Sequence, residues 1–299
     1  MAIIDQVIDR IEDWKGKRIS ILPVSGGLTN TNYKVLVDGR PFFVRVPGES
    51  TELLAVDRGN EYFNTRAAAE TGVSPQVYYY LPEFQVMVLE YLEGNTMSNA
   101  ALQAEGMPSK IGQAIKRLHG GPRFLTDFNM FRLTEYYLEL CIQRDIHIPQ
   151  GYVERMPTIK LIEHVLAVHP VLTMPCNNDL LAENYIYDGS SMRIIDYEYS
   201  GNNDPCFELG NTCQELQYDE RRISEVCAAY FGIPTVDKIS RMKLNMIMSD
   251  VGWALWAAIQ AKISKIEYNF WGWAEERWGR AVEKMDGQDF PTWLEDVQA

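Results

Sequence analysis

Cys176–Tyr199 reads CNNDLLAENYIYDGSSMRIIDYEY, and the reading of this stretch decides how the rest of the chain is understood. Asn184 lies five residues after Asp179, and Asp196 twelve further on. Tyr185-Ile186-Tyr187 and Met192-Arg193-Ile194-Ile195 read as two short strands, joined by Asp188-Gly189-Ser190-Ser191, a loop with hairpin chemistry. A hairpin folds back on itself, so Asn184 at its entrance and Asp196 at its exit are expected side by side. Carboxylate and amide oxygens placed this way suit Mg²⁺, a hard cation that shares oxygen ligands with substrate phosphates. Asp179, just upstream, is then free to accept a proton from an attacking hydroxyl. An ordinary hairpin with solvated acids and a capping Asn has the same spacing, so the remainder of the chain has to decide.

Upstream, Ile19–Val24, Asn32–Val37 and Pro41–Val46 read as strands, with a Gly-rich turn over 25–31 and a hairpin signal at Asp38-Gly39. Gly26, Gly27, Thr29 and Asn30 lie in that turn, where backbone N–H groups can approach phosphate oxygens; a plain hairpin turn is the alternative. Arg45 sits inside the apolar third strand and either snorkels to the sheet edge or meets an anion. A helix over Asp57–Glu70 turns Glu61 back toward that strand. A strand cation paired with a helix glutamate holds nucleotide phosphates in kinases, whose catalytic loop and metal-binding aspartate have the Asp179, Asn184, Asp196 layout. Two unrelated surface charges are the competing reading of Arg45 and Glu61.

Val77–Tyr80 and Gln85–Tyr91 make a further strand pair, after which composition changes from strand to helix. The boundary is placed there, giving a nucleotide-binding lobe over 1–92 and a catalytic and substrate-binding lobe over 93–299. Backbone groups of the linker, at Glu90 and Leu92, are candidate partners for an adenine edge. Helices are expected over residues 2–14, Ser109–His119, Leu133–Arg144 and Thr158–Val168, separated in the second half by Pro-containing loops. His119, in the last turn of its helix, reads as a capping or packing residue. Near the end, Trp253 and Trp256 share a helix face, and Tyr268, Phe270, Trp271, Trp273 and Trp278 follow. Such aromatics are core in most proteins.

At 299 residues the chain is comfortable for two lobes, and 46% apolar with 23% charged residues is ordinary for a globular protein. A net charge of −13 argues against a general nucleic-acid binder, though local cations and Mg²⁺ can still neutralise ATP phosphates. The odd count of five cysteines, without C-x2-C spacing, reads as reduced thiols. Acids interrupt the N-terminal segment at Asp5, Asp9 and Glu12, unlike a signal peptide, and no apolar run approaches a membrane span. A cytoplasmic location is expected.

These residues resemble the choline/ethanolamine kinase family, within the aminoglycoside-phosphotransferase-like branch of the protein-kinase-like superfamily. SGGLTNTNYKV is similar to the family's phosphate loop, NNDLLAEN to its catalytic loop, and IDYEYSGNNDPCFELGN to its metal-binding segment. GWALWAAIQAKIS is similar to the segment lining the amine pocket. The resemblance implies an α+β, two-lobed fold, with a small N-terminal antiparallel-sheet lobe and a larger, mostly helical C-terminal lobe. It implies ATP and Mg²⁺ as cofactors, Asp179 as catalytic base, and Asn184 and Asp196 as metal ligands. Glu198 would be a supporting acid at the substrate side, and Arg45, held by Glu61, the phosphate cation. Trp253, Trp256 and Trp273 would wall the amine pocket, with Glu215 supplying negative charge and Tyr199 a further wall.

The implied substrate is a small amino alcohol, and the aromatic weight favours choline because a quaternary ammonium is best held by ring faces. One position departs from the family pattern: Asn177 stands where the catalytic loop normally begins with histidine. Asn offers a donor and an acceptor on a shorter arm, so a bracing role with altered geometry is expected. Glu220 also stands where relatives often carry an aromatic. Two competing readings keep the chemistry but change the acceptor (ethanolamine, an aminoglycoside, thiamine), or make the chain a weakly active nucleotide-binding module.

Overall fold

The computed structural model describes residues 2–24, 30–48 and 51–299. Its architecture is the expected α+β, two-lobed one. Helix α1 (Ile3–Arg10) precedes strands β1 (Ile19–Val24), β2 (Asn30–Val37) and β3 (Arg40–Pro47), then α2 (Arg58–Ala69), β4 (Val77–Leu81) and β5 (Val86–Glu90). The strands form one antiparallel sheet in the order β1-β2-β3-β5-β4. Arg45 is opposite Asn32 on one side and Met87 on the other, so it lies in the middle of the sheet. The expected helix over 2–14 stops early. Ile11 is extended (φ −86°, ψ 101°), and a 3₁₀ turn over Glu12–Trp14 follows. The break still lets Ile4, Val7, Ile11 and Trp14 pack against Val35, Phe42 and Val44 of the sheet. Helix α2 begins where the sequence places it, because the Asp57 side chain caps the Asn60 amide at 2.9 Å.

Past Glu90 the chain is mostly helical. It runs through β6 (Asn95–Thr96), α3 (Asn99–Leu102), α4 (Met107–His119), α5 (Met130–Gln143) and α6 (Met156–Val168). Short strands β7 (Met174–Cys176), β8 (Tyr185–Tyr187), β9 (Met192–Ile194) and β10 (Gly201–Asn203) come next. Helices α7 (Pro205–Glu215), α8 (Glu220–Phe231), α9 (Val236–Ile263), α10 (Phe270–Met285) and α11 (Phe290–Asp296) complete the chain. The hairpin read from the sequence is β8–β9, with Tyr185 opposite Ile194.

Helix α9, 28 residues long, is the axis of this half, and α5, α7, α10 and α11 pack on it. Gly210 lets α7 approach the α9 backbone closely. A Cβ there would stand 2.5 Å from the Met242 carbonyl oxygen and 3.2 Å from the Asn245 Cβ of α9. No helix among the described residues is long and apolar enough to cross a membrane.

Candidate active site

Strand β7 pairs antiparallel with β10, Cys176 opposite Gly201, so the loops that follow the one and precede the other lie back to back. Asn177 ties them together. Its side-chain amide donates to the carbonyls of Ile195 (3.2 Å) and Asp196 (2.6 Å), and its oxygen accepts from the Asp179 amide at 3.1 Å. The brace expected of this residue is therefore made. Glu208 of α7 supports it from below, accepting the backbone N–H of Asn177 at 3.0 Å and of Asn178 at 2.6 Å. Two residues here adopt left-handed backbone, Asn178 (φ 70°) and Asp196 (φ 66°). Asn and Asp visit that region more readily than other non-glycine residues, and such conformations concentrate at functional sites. His119 is a packing residue, as read: buried, with Nδ1 2.7 Å from the Tyr230 hydroxyl and Nε2 3.3 Å from Cys176 Sγ.

Asn184 donates its side-chain amide nitrogen to the Asp179 carbonyl at 2.7 Å, and its backbone carbonyl accepts the Ile195 N–H at 3.0 Å. Entrance and exit of the hairpin are thus joined, and Asn184 and Asp196 line one cavity. Arg45 reaches from β3 to the same place, with Nη2 2.6 Å from Asp196 Oδ1 and 2.5 Å from Glu198 Oε1, and Nε 3.3 Å from Glu61 Oε1. Arg58 closes the network through Glu61 (2.7 Å) and Glu198 (3.0 Å), and Asn30 donates to Glu198 as well. Of the two readings of Arg45, the anion partner is the one observed.

Glu61, Asp196 and Glu198 bring carboxylate oxygens within 4.8 Å of one another, three negative charges against two guanidiniums. Desolvating each ion costs several kcal/mol, so such a network positions groups more than it stabilises the fold. Burial acts to raise the Glu198 carboxyl, but Arg45, Arg58 and the Asn30 donor bring it down to about 2. Among the described residues Asp179 has no cation in ion-pair contact. Burial, then the charges of Asp196 and Glu215, push its carboxyl well above the usual range against a weaker pull from Arg277.

A cavity of about 400 Å³ joins Asp179, Asn184, Asp196 and Glu198 to Tyr199, Glu215, Trp253, Trp256 and Trp273. Its far end is a box of rings. Trp256 donates its indole N–H to the Tyr199 hydroxyl at 2.6 Å, and Trp253 meets Tyr199 edge-on at 4.9 Å. Trp273 stands edge-on to Trp256 (5.7 Å) and to Tyr268 (5.9 Å). At the other end of the sheet, the Glu90 carboxylate is engaged by the Gln76 amide (3.1 Å) and Arg193 (3.4 Å). Leu92 follows the end of β5, and its amide has no hydrogen-bond partner among the described residues. Gly26, Gly27 and Thr29 lie outside the described residues.

Comparison with known proteins agrees with this geometry. The family model for choline/ethanolamine kinase matches residues 21–235, most of the chain. The chain belongs to the choline/ethanolamine kinase family. It is accordingly a phosphotransferase with an alcohol group as acceptor. A crystal structure of a choline/ethanolamine kinase family protein from Mesorhizobium loti is 30% identical and superposes with a TM-score of 0.87 over 99% of each chain. Protein LicA of Haemophilus influenzae is 25% identical over 87% of this chain and 78% of its own. Rat ethanolamine kinase 2 is 27% identical over 89% and 76%.

Several residues of this family member's site were not read from its sequence. Tyr268 joins the ring box, and Asn99 and Glu183 line the cavity mouth. Arg58 is three residues before Glu61, a spacing that alone places the two side chains together on α2. Arg277 lines the cavity and pairs with Glu215, the acid expected to supply negative charge, at 2.6 Å. Its spacing of four from Trp273 is the available signal. Glu208 acts through backbone amides, for which no side-chain pattern exists.

Proposed function

We propose that this kinase transfers the γ-phosphoryl group of ATP, with Mg²⁺, to the hydroxyl of choline or a closely related amino alcohol. The observation that carries the reading is the single cavity with Asp179, Asn184 and Asp196 at one end and Tyr199, Trp253, Trp256, Tyr268 and Trp273 at the other. Asp179 orients the acceptor hydroxyl and takes its proton, a role its raised affinity for protons suits. The aromatic end holds the ammonium, each ring face contributing about 0.5–2 kcal/mol.

The donor set fits a hard divalent cation. Asn184 spends its nitrogen on the Asp179 carbonyl and keeps its oxygen, while Arg45 engages Asp196 through Oδ1 and the side chain stays 30% exposed. Bound there, Mg²⁺ supplies charge neutralisation for the phosphates. Arg45, positioned by Glu61 and Arg58, contributes the protein's own cation, and the Leu92 amide offers a donor to an adenine edge. In this reading residues 1–92 form the nucleotide lobe, with Gly26, Gly27, Thr29 and Asn30 as its phosphate-binding residues, and 93–299 the catalytic one. The protein acts in the cytoplasm on a small molecule. The intact Asn177 brace favours turnover over a purely nucleotide-binding role.

The test is ADP release across choline, ethanolamine, thiamine and an aminoglycoside, with Trp256→Ala beside wild type. Choline should be the preferred acceptor, and Trp256→Ala should raise its KM about 10–100-fold while KM for ATP stays within about twofold. Equal effects on both substrates, or preference for thiamine or the aminoglycoside over both small amino alcohols, would overturn the reading.

A further inference from the structure

Helix α10 brings Arg277 to the ring box as a wholly buried cation, 1% exposed. Its Nη2 lies 2.6 Å from Glu215 Oε1, its Nη1 3.3 Å from Asp250 Oδ1, and its guanidinium carbon 4.5 Å from the Trp273 ring centroid. The two carboxylates are not equally dependent on it. Asp250 also holds Arg280, at 2.6 and 3.0 Å, and accepts from Gln214 at 2.5 Å. Among the described residues Arg277 is the one cation in ion-pair contact with Glu215. Glu215 is therefore a matched charge, and one face of Trp273 is already covered.

We infer that Arg277 is a specificity-determining positioning residue: by neutralising Glu215 and stacking on Trp273 it leaves the amine end without a free carboxylate. The inference rests on the amino-alcohol kinase reading and refines it. A primary ammonium carries three N–H donors that need acceptors once buried; Arg277 offsets the Glu215 charge through Oε1, so the carboxylate draws such an ammonium less strongly than an unpaired one would. A quaternary ammonium has no N–H and asks only for ring faces, which Trp256, Tyr199 and Tyr268 still present. Arg277 thus tilts the pocket toward the methylated amine, and the duty of Glu215 is to hold Arg277 in place of touching the substrate.

The experiment compares wild type, Glu215→Gln, Arg277→Gln and the double variant. It reads calorimetric Kd values for choline and ethanolamine, kcat/KM for both, and KM for ATP. Glu215→Gln leaves Arg277 to share Asp250 with Arg280, one positive charge in excess at the cavity wall, and should weaken choline about 30-fold; the double variant, with both charges gone, should return to within about threefold of wild type. Arg277→Gln frees Glu215 and should move the choline-to-ethanolamine ratio about tenfold toward ethanolamine, with KM for ATP within about twofold. Arg277→Lys, which keeps the charge, should keep the ratio. A double variant no better than Glu215→Gln would mean that Glu215 contacts the amine itself, and would overturn the inference. So would an unchanged ratio in Arg277→Gln or, if that variant does not fold, a choline-to-ethanolamine ratio in the double variant equal to that of Glu215→Gln. A wild type that binds neither amine overturns the kinase reading and the inference together, a result distinct from the others because it precedes any substitution.

Discussion

Two buried ion-pair networks flank the cavity, and they balance differently. At the sheet side, Arg45 and Arg58 face Glu61, Asp196 and Glu198, so one carboxylate is in excess. At the α10 side the buried members balance, Arg277 and Arg280 against Glu215 and Asp250, and the further acid on Arg280, Glu276, is exposed to solvent. Both have already met the cost of desolvation, so neither is a large source of net stability. The difference lies in what each can still attract. A matched network holds ring and helix positions and offers a cation little. A network with surplus negative charge, beside the Asn184 oxygen, retains attraction for a small cation.

The hardest way to break the comparison is to remove the surplus. Asp196→Asn makes the sheet-side network neutral, so the fold should persist with an unchanged circular dichroism spectrum. Turnover should fall by about 10³-fold or more, since a metal's charge stabilisation is worth several kcal/mol. Retention of a tenth of wild-type kcat would end the case for Asp196 as a ligand. Arg58→Gln is the next step down. It leaves Glu61 and Glu198 to Arg45 alone, which should hold Arg45 back from phosphate and raise KM for ATP about tenfold. KM for the amine should hardly move, and the urea midpoint should fall by an amount equivalent to up to about 3 kcal/mol. Equal changes in both KM values would show Arg58 to be general scaffold.

The smallest effect sharpens the contrast from between the networks, at Asp179, which neither one neutralises. Its folded-state proton affinity is raised, so the stability it contributes is present below the unfolded carboxylate pKa, roughly 4, and is lost as pH rises through the folded value. Asp179→Asn removes that loss. The variant should lack turnover yet melt higher than wild type at pH 8, by about 2 °C for each kcal/mol relieved, and the gap should close near pH 4. A lower Tm at pH 8 would mean that Asp179 is compensated in a way the ion pairs do not reveal.

What the sequence disclosed followed from spacing within short stretches. The β8–β9 hairpin, the helix that starts after Asp57 and the placing of Asn184 and Asp196 on one cavity all depend on neighbours within about twenty residues, and all three were legible. Arg45 was legible as an oddity because a cation in an apolar strand demands an anion, although which anion required the fold. The break at Ile11 was hidden because its apolar positions suit either a continuous helix or a helix followed by a turn. Arg277 and Glu215, separated by sixty-two positions, meet only because α7 and α10 both pack on α9. Glu208 was invisible for another reason: its partners are backbone amides, which every residue has.

The absent side chain of Gly210 has a reach beyond its own contact. Because only a hydrogen separates α7 from the Met242 carbonyl, the two helices run closer there than any substituted pair could. Glu215 lies further along the one helix and Trp253 and Trp256 further along the other. The width of the ring-lined cavity is therefore gauged at a point outside its lining, and a single methyl group at Gly210 would act as a spacer that enlarges it from outside.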